Sequence, residues 1–203
     1  MQIQLIRHGK TMGNLEKRYI GRTDEPLCSE GIAELKTVKP IKPMPEYIIV
    51  SPMKRCIQTA NICYPNQPMT LENDFCETDF GDFENQNYQQ LQHHPAYQAF
   101  LDSGGNMPFP NGESRQQVTT RVCRGFVKWI TYSFKQDYQT IAMVIHGGTI
   151  MTILEAYAQS PRHNFYHWQV KNAEGYLLSV TPSQWEQYQT VTVQKNLLLV
   201  EGE

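Results

Sequence analysis

The sequence predicts a three-layer α/β/α sandwich built on a central, mostly parallel sheet. Three observations carry this expectation. Short apolar runs that end at Arg7, Val50 and Ile145 read as buried strands. Segments with apolar residues at helical spacing lie between them. Strands alternating with helices are the pattern of a sheet covered on both faces.

Taken in order, Ile3, Leu5 and Ile6 mark a first strand ending at Arg7. Ser29 has the chemistry of an N-cap for a helix in which Ile32 and Leu35 stand three apart. The prolines of Lys39–Pro45 exclude helix and predict a stiff connector. Tyr47–Val50 is a second strand. Ser51-Pro52 then predicts a helix through about Cys63, because serine caps well and proline suits the first helical position. Met69–Leu71 is a short third strand. From Phe75 to Gly112, Asn, Gln, His, Gly and Pro are abundant and apolar periodicity weakens, with short helices expected near 86–93 and 95–102. This stretch of about 75–112 is expected to be a lid-like insertion over the sheet's edge within a single domain, 1–203. Ser114-Arg115-Gln116-Gln117 has the form of a capping box, opening a long helix with Val118, Val122, Phe126, Trp129 and Ile130 on one face. A strand over Thr140–Ile145, a helix over Thr149–Ala158, and late strands near Tyr176–Val180 and Thr190–Val193 complete the expectation.

The composition narrows the function. A hydrophobic fraction of 40% in 203 residues suffices for one sizeable core. A net charge of −2 offers no global positive field for nucleic acid or anionic membrane, so any anion site must be a local cluster. The N-terminus lacks a basic, long-apolar leader, and no stretch approaches a membrane span. The cysteines are odd in number (Cys28, Cys56, Cys63, Cys76 and Cys123), with no C-x-x-C. Free thiols in a cytoplasmic protein are expected.

The chemistry concentrates at strand ends. Arg7-His8-Gly9 ends the first strand and His146-Gly147-Gly148 ends the fourth. In an open α/β sheet, ligands bind outside the carboxyl ends of the strands, so the two imidazoles are expected in one cleft. A His-Gly by itself is most simply a structural strand end; its repetition beside Arg7 suggests a site. Arg55 is expected in the first turns of a helix, where backbone N–H groups also favour an anion. Two guanidinium groups and two imidazoles suit a dianion such as phosphate, whose oxygens match the guanidinium fork. A neutral His8 with one nitrogen fixed can be a nucleophile, and His146 can donate to the developing charge. Transfer to His8 also requires a proton donor. A carboxyl against apolar surface suits that role, and on chemistry alone Glu72, Asp74, Glu77, Asp79 and Glu84 are all candidates.

Six ordered motifs then bear on the choice: Leu5-Ile-Arg-His-Gly-Lys-Thr-x-x-Asn14, Gly21-Arg-Thr-Asp-x-Pro26-Leu27-x-Ser29-x-Gly31, Ser51-Pro-x-x-Arg55-x-x-x-Thr59-Ala60, Glu77-x-x-Phe80-Gly81-x-Phe83-Glu84, Gly112-Glu113-Ser114 and His146-Gly147-Gly148. In this order the chain resembles the histidine phosphatase (phosphoglycerate mutase-like) superfamily from residue 3 to about 150. The resemblance implies a phosphoglycerate mutase-like fold. It makes His8 the phosphorylated residue, Glu77 the proton donor and acceptor, and Arg7, Arg55 and His146 the phosphoryl clamp. Asn14 and Gly147 would help hold the group, and Gly21, Arg22 and Thr23 would line the substrate side. Phe83 stands where Trp is common, and Asn85 where Gly is frequent.

The superfamily includes phosphatases, mutases and bisphosphatases. The short chain and the Thr78-Asp79-Phe80 after Glu77 favour hydrolysis of a small-molecule phosphomonoester over a bisphosphoglycerate-dependent phosphoglycerate mutase. The Gly21-to-Leu27 run and Phe109-Pro-Asn-Gly-Glu-Ser114 are most similar to the α-ribazole phosphatases of cobalamin synthesis. A non-catalytic phospho-ligand module is disfavoured, since both His8 and Glu77 are present. No cofactor or metal is expected. His93-His94 lacks a third ligand at suitable spacing, and His163 with His167 reads as packing near a helix end. No nucleotide-binding glycine motif occurs.

Overall fold

The computed structural model describes residues 1–37, 41–105, 107–159 and 164–198. In chain order the regular elements begin with β1 (Gln2–Arg7), α1 (Met12–Leu15), α2 (Ser29–Lys36), β2 (Tyr47–Val50), α3 (Lys54–Cys63) and β3 (Met69–Leu71). There follow α4 (Tyr88–Leu91), α5 (Pro95–Asp102), α6 (Arg115–Lys135), β4 (Thr140–Ile145), α7 (Gly147–Tyr157), β5 (Glu174–Ser179), α8 (Pro182–Tyr188) and β6 (Thr192–Leu198). The six strands form one sheet in the order β3-β2-β4-β1-β5-β6. The first four are mutually parallel, β5 pairs antiparallel with β1, and β6 pairs antiparallel with β5 at the sheet's edge. The central sheet is therefore mostly parallel.

Alternation along β4 generates the layers. Ile141, Met143 and Ile145 pack on one face against Val122, Phe126 and Ile130 of α6 and Ile150 and Ile153 of α7. Ala142 and Val144 pack on the other against Leu35 of α2 and Cys56 and Ala60 of α3. Every residue of β4 is buried, as expected for a strand covered on both sides. A third, aromatic cluster forms between the 80–109 segment and Tyr19, where Phe83, Leu91 and Tyr97 gather Tyr19, Phe80, Phe100 and Phe109. Its rings meet largely edge to face, Phe80 and Phe109 at 5.1 Å and 87°. Among the described residues no helix is long and apolar enough to cross a membrane.

Several boundaries differ from expectation for identifiable reasons. Cys28, not Ser29, caps α2, its sulfur accepting the Gly31 N–H at 3.3 Å. Helix α3 starts at Lys54 rather than at Ser51-Pro52, because the Ser51 hydroxyl is committed to His146. Helix α7 begins two residues earlier than expected, directly after His146. Helix α8 was not anticipated, although Thr181 caps it through Gln184 and Pro182 occupies its first turn. The capping box of Ser114 and Gln117 is present as read. The five cysteines are unbonded thiols, four of them buried. His163 and part of the proline-rich connector lie outside the described residues. His167 sits in the short 3-10 turn Phe165–Trp168, its ring 4.8 Å from Trp168. Among the described residues no group of three His, Cys, Asp or Glu side chains is placed to hold a metal ion.

Candidate active site

Register brings the two histidines together. In the parallel β1–β4 pair Arg7 lies opposite Ile145, so the next residues, His8 and His146, leave neighbouring strands at the same level. Their ring centroids are 5.2 Å apart. Val50 pairs with Val144 on the other side of β4, so Ser51 emerges there as well. Its Oγ lies within hydrogen-bond distance of His146 Nε2, at 2.7 Å.

His8 is 4% exposed, and its Nδ1 donates to the Gly9 carbonyl at 2.7 Å. This leaves the lone pair on Nε2. Its proton affinity is held well below the ordinary histidine range, first by burial and then by the Arg55 and Arg7 charges. His146 is lowered in the same way, by burial and then by Arg55, His8 and Arg7. Both rings are neutral near neutral pH.

Arg55 is 1% exposed, an unusual burial for a guanidinium. Its Nη1 donates to Thr23 O at 2.9 Å and its Nη2 to Gly21 O at 3.0 Å, with Ile20 O at 3.4 Å. Arg7 donates through Nη1 to Val170 O at 2.7 Å. In both arginines the buried Nε–H has no partner among the described residues. Thr59, one turn after Arg55, accepts the Gly9 N–H at 2.9 Å and so ties the His8 loop to α3.

Glu77 comes from the other wall. A Cβ added to Gly148 would meet Glu77 Oε1 at 2.7 Å, and one added to Gly147 would meet Arg7 Nε at 3.3 Å. These two glycines let the carboxylate and the guanidinium approach the N-terminus of α7, whose amides favour an anion. Beside Glu77 opens a cleft of about 300 Å³ walled by Tyr19, Phe80, Phe100, Phe109, Phe165 and Tyr166.

Of the residues expected around the phosphoryl group, Arg7, His8, Arg55, His146, Glu77 and Gly147 converge as described. Gly21 and Thr23 act on Arg55, their carbonyls accepting its N–H groups while Glu84 accepts both of their amides at 2.8 Å. Arg22 is half exposed, 3.6 Å from Asp79. Asn14 caps α1 with Thr11, and its Oδ1 accepts from Asn172 at 2.9 Å. Asn172, which also donates to the His8 and Gly9 carbonyls, carried no local sequence signal. Ser51 carries one, the Ser-Pro of a helix start, but its hydroxyl faces His146 instead.

Residues 3–191 match the histidine phosphatase superfamily (branch 1), and the chain belongs to that family. Over 177 residues, 84% of this chain and 86% of the relative, it is 27% identical to the adenosylcobalamin/α-ribazole phosphatase of Salmonella typhimurium. It is 30% identical over 156 residues to the uncharacterized phosphatase PhoE of Bacillus subtilis, covering 74% of each. The crystal structure of a putative α-ribazole-5′-P phosphatase from Escherichia coli K-12 superposes with a TM-score of 0.84 at 23% identity, covering 100% of this chain and 98% of that one.

The two buried neutral histidines set an acid limit on stability. Unfolded histidines take up protons as the pH falls through about 6.5, whereas the folded His8 and His146 do not. Their contribution is complete above about pH 6.5 and is lost on acidification from there toward the lower folded-state values. Each adds a slope of up to about 1.4 kcal/mol per pH unit. Urea unfolding at about pH 7.5 and about pH 5.5 should show a lower midpoint in acid, and His8→Ala should reduce the difference.

Proposed function

We propose that the chain is a phosphomonoesterase acting through a phosphohistidine at His8. The observation that carries this reading is the pair of buried Nε–H groups of Arg7 and Arg55, without a partner among the described residues, beside an unprotonated His8. Two such donors in a site of low dielectric call for an oxyanion, and the neighbouring Nε2 lone pair supplies a nucleophile. His8 Nε2 attacks phosphorus, and the bond to the leaving oxygen breaks as Glu77 delivers its proton to that oxygen. Water then attacks the phosphohistidine and gives a proton to Glu77. The P–N bond breaks, releasing inorganic phosphate and restoring His8. Arg7, Arg55 and the His146 ring hold the equatorial oxygens throughout, with the Gly147 amide at the helix end. The 75–112 segment serves as a lid-like insertion within one domain, contributing Glu77 and one aromatic wall.

We infer that the alcohol is a small, largely apolar ring system. Six aromatic side chains wall the cleft beside Glu77. Among its described lining residues only Arg115 is cationic, and its Nη2 donates to both carboxylate oxygens of Glu155, at 2.6 and 2.7 Å. Phosphoglycerate would need a free cation for its carboxylate. The named activity of the Salmonella relative fits this lining, so α-ribazole 5′-phosphate is the leading substrate. The free thiols suit the reducing cytoplasm. A panel of α-ribazole 5′-phosphate, aryl phosphates, 3-phosphoglycerate and 2,3-bisphosphoglycerate, run with and without chelator, tests the reading. Preferential, chelator-insensitive phosphate release from the ring-bearing esters is expected. Phosphoryl transfer between phosphoglycerates faster than phosphate release would overturn it.

A further inference from the structure

We propose that Arg121 is the positioning residue for Glu77, acting with Glu113 as a brace that holds the proton-transferring carboxyl in line with the leaving oxygen. The inference rests on the reading of Glu77 as acid and base.

Residues 77–80 belong to no helix or strand, so the sheet does not fix Glu77. Glu77 Oε1 accepts the N–H of the next residue, Thr78, at 2.8 Å, so the carboxyl moves with the loop backbone, and that backbone is held by a guanidinium from α6. Arg121 Nε donates to Glu113 Oε1 at 2.7 Å, and Nη2 donates to Glu113 Oε2 at 2.8 Å and to the Glu77 carbonyl at 3.1 Å. Its Nη1 donates to the carbonyls of Asp74 at 2.9 Å and Cys76 at 2.7 Å. An arginine has five N–H donors, and here each meets one acceptor. Glu113 completes the brace from the far side of Glu77: its Oε2 accepts the Asp79 N–H at 2.9 Å, and its own N–H donates to Asp79 O at 2.9 Å. The loop is thus gripped before, at and after Glu77.

The brace is well anchored. The Arg121 and Glu113 side chains are 12% and 15% exposed, and Glu113 immediately precedes the Ser114 cap of α6, a helix of 21 residues. Burial opposes both charges, yet their mutual attraction outweighs it, raising Arg121 and lowering Glu113. Lysine offers three donors from a single point and cannot reproduce this planar fork.

Leaving-group dependence separates a positioning role from a merely structural one. An activated aryl ester such as p-nitrophenyl phosphate departs without a proton, whereas an alkyl phosphate does not. Displacing the acid by about 1 Å can cost about 10²-fold. In Arg121→Lys, single-turnover cleavage of an alkyl phosphate should fall roughly 30- to 100-fold, while the burst of p-nitrophenolate should stay within about threefold of wild type. A slow steady state should follow the burst, because Glu77 must also deprotonate water. Glu113→Gln, which keeps the three carbonyl contacts of Arg121, should show the same selectivity at smaller size and provides the test if Arg121→Lys does not fold. Equal losses on both esters in folded variants, or none on either, would overturn the brace. Glu77→Gln runs in parallel: if it too lacks leaving-group dependence, the acid assignment fails, and if it alone shows it, only the brace fails.

Discussion

His8→Ala should lower turnover by at least on the order of 10⁴-fold while leaving the fold and the phosphate pocket in place. The ring is almost fully buried, but among the described residues its side chain hydrogen-bonds only to the adjacent Gly9 carbonyl, and its contact with the His146 ring is edge-on packing, so its loss breaks no hydrogen bond between elements. The anion-binding donors come from Arg7, Arg55 and the start of α7, none of which touches the His8 side chain through a hydrogen bond. Inorganic phosphate should therefore still compete for the site within several-fold of its wild-type affinity. Rapid quench with labelled substrate should trap acid-labile, base-stable phosphate on the wild type and none on the variant. Turnover near wild type, or equal labelling of the variant, would remove His8 from the mechanism. The same substitution isolates one source of acid sensitivity. It removes a group that is neutral when folded and protonated when unfolded below about pH 6.5, so the variant should lose less stability on acidification.

What the sequence made legible follows from how locally each feature is encoded. The strands of the parallel core were readable because residues buried on both faces leave uninterrupted apolar runs, as in Thr140–Ile145. The meeting of His8 and His146 was readable because topology puts the carboxyl ends of parallel strands together. Helix starts were less legible where one side chain had two possible employers. Ser51 has the composition of a cap, yet its hydroxyl serves His146, and α3 begins without a side-chain cap. Long-range polar contacts were not legible at all. Asn172 reaches the His8 and Gly9 carbonyls across more than 160 positions, and nothing in its neighbourhood signals that partner. Glu84 and Glu113 stood in recognisable motifs, but only geometry shows that one holds the 21–23 loop and the other the loop of Glu77.

Arg55→Met should reduce kcat/KM by on the order of 10³-fold, and its secondary effects should identify the cause. In the folded protein three carbonyls of residues 20–23 converge on this guanidinium, and Glu84 takes the amides of Gly21 and Thr23 from the other side. Methionine fills similar space but leaves those carbonyls without a donor, at a cost of about 1–3 kcal/mol for a buried unsatisfied group. Arg55→Lys keeps the charge but cannot meet three carbonyls and a phosphoryl oxygen together, so it should recover only a small part of the activity. Arg55 is also, after burial, the largest influence lowering the proton affinity of both His8 and His146. Without it both histidines should take up protons at higher pH than in the wild type. The acid limb of kcat/KM then moves upward in Arg55→Met, as the nucleophile is lost to protonation sooner. Stability should respond in the opposite sense. A folded-state value closer to the unfolded one narrows the window over which acid destabilises, so the variant, weaker at neutral pH, should have the flatter pH dependence. Paired pH–rate profiles and urea melts on wild type and variant measure both. An unmoved acid limb would mean that Arg55 grips the substrate without keeping the nucleophile neutral.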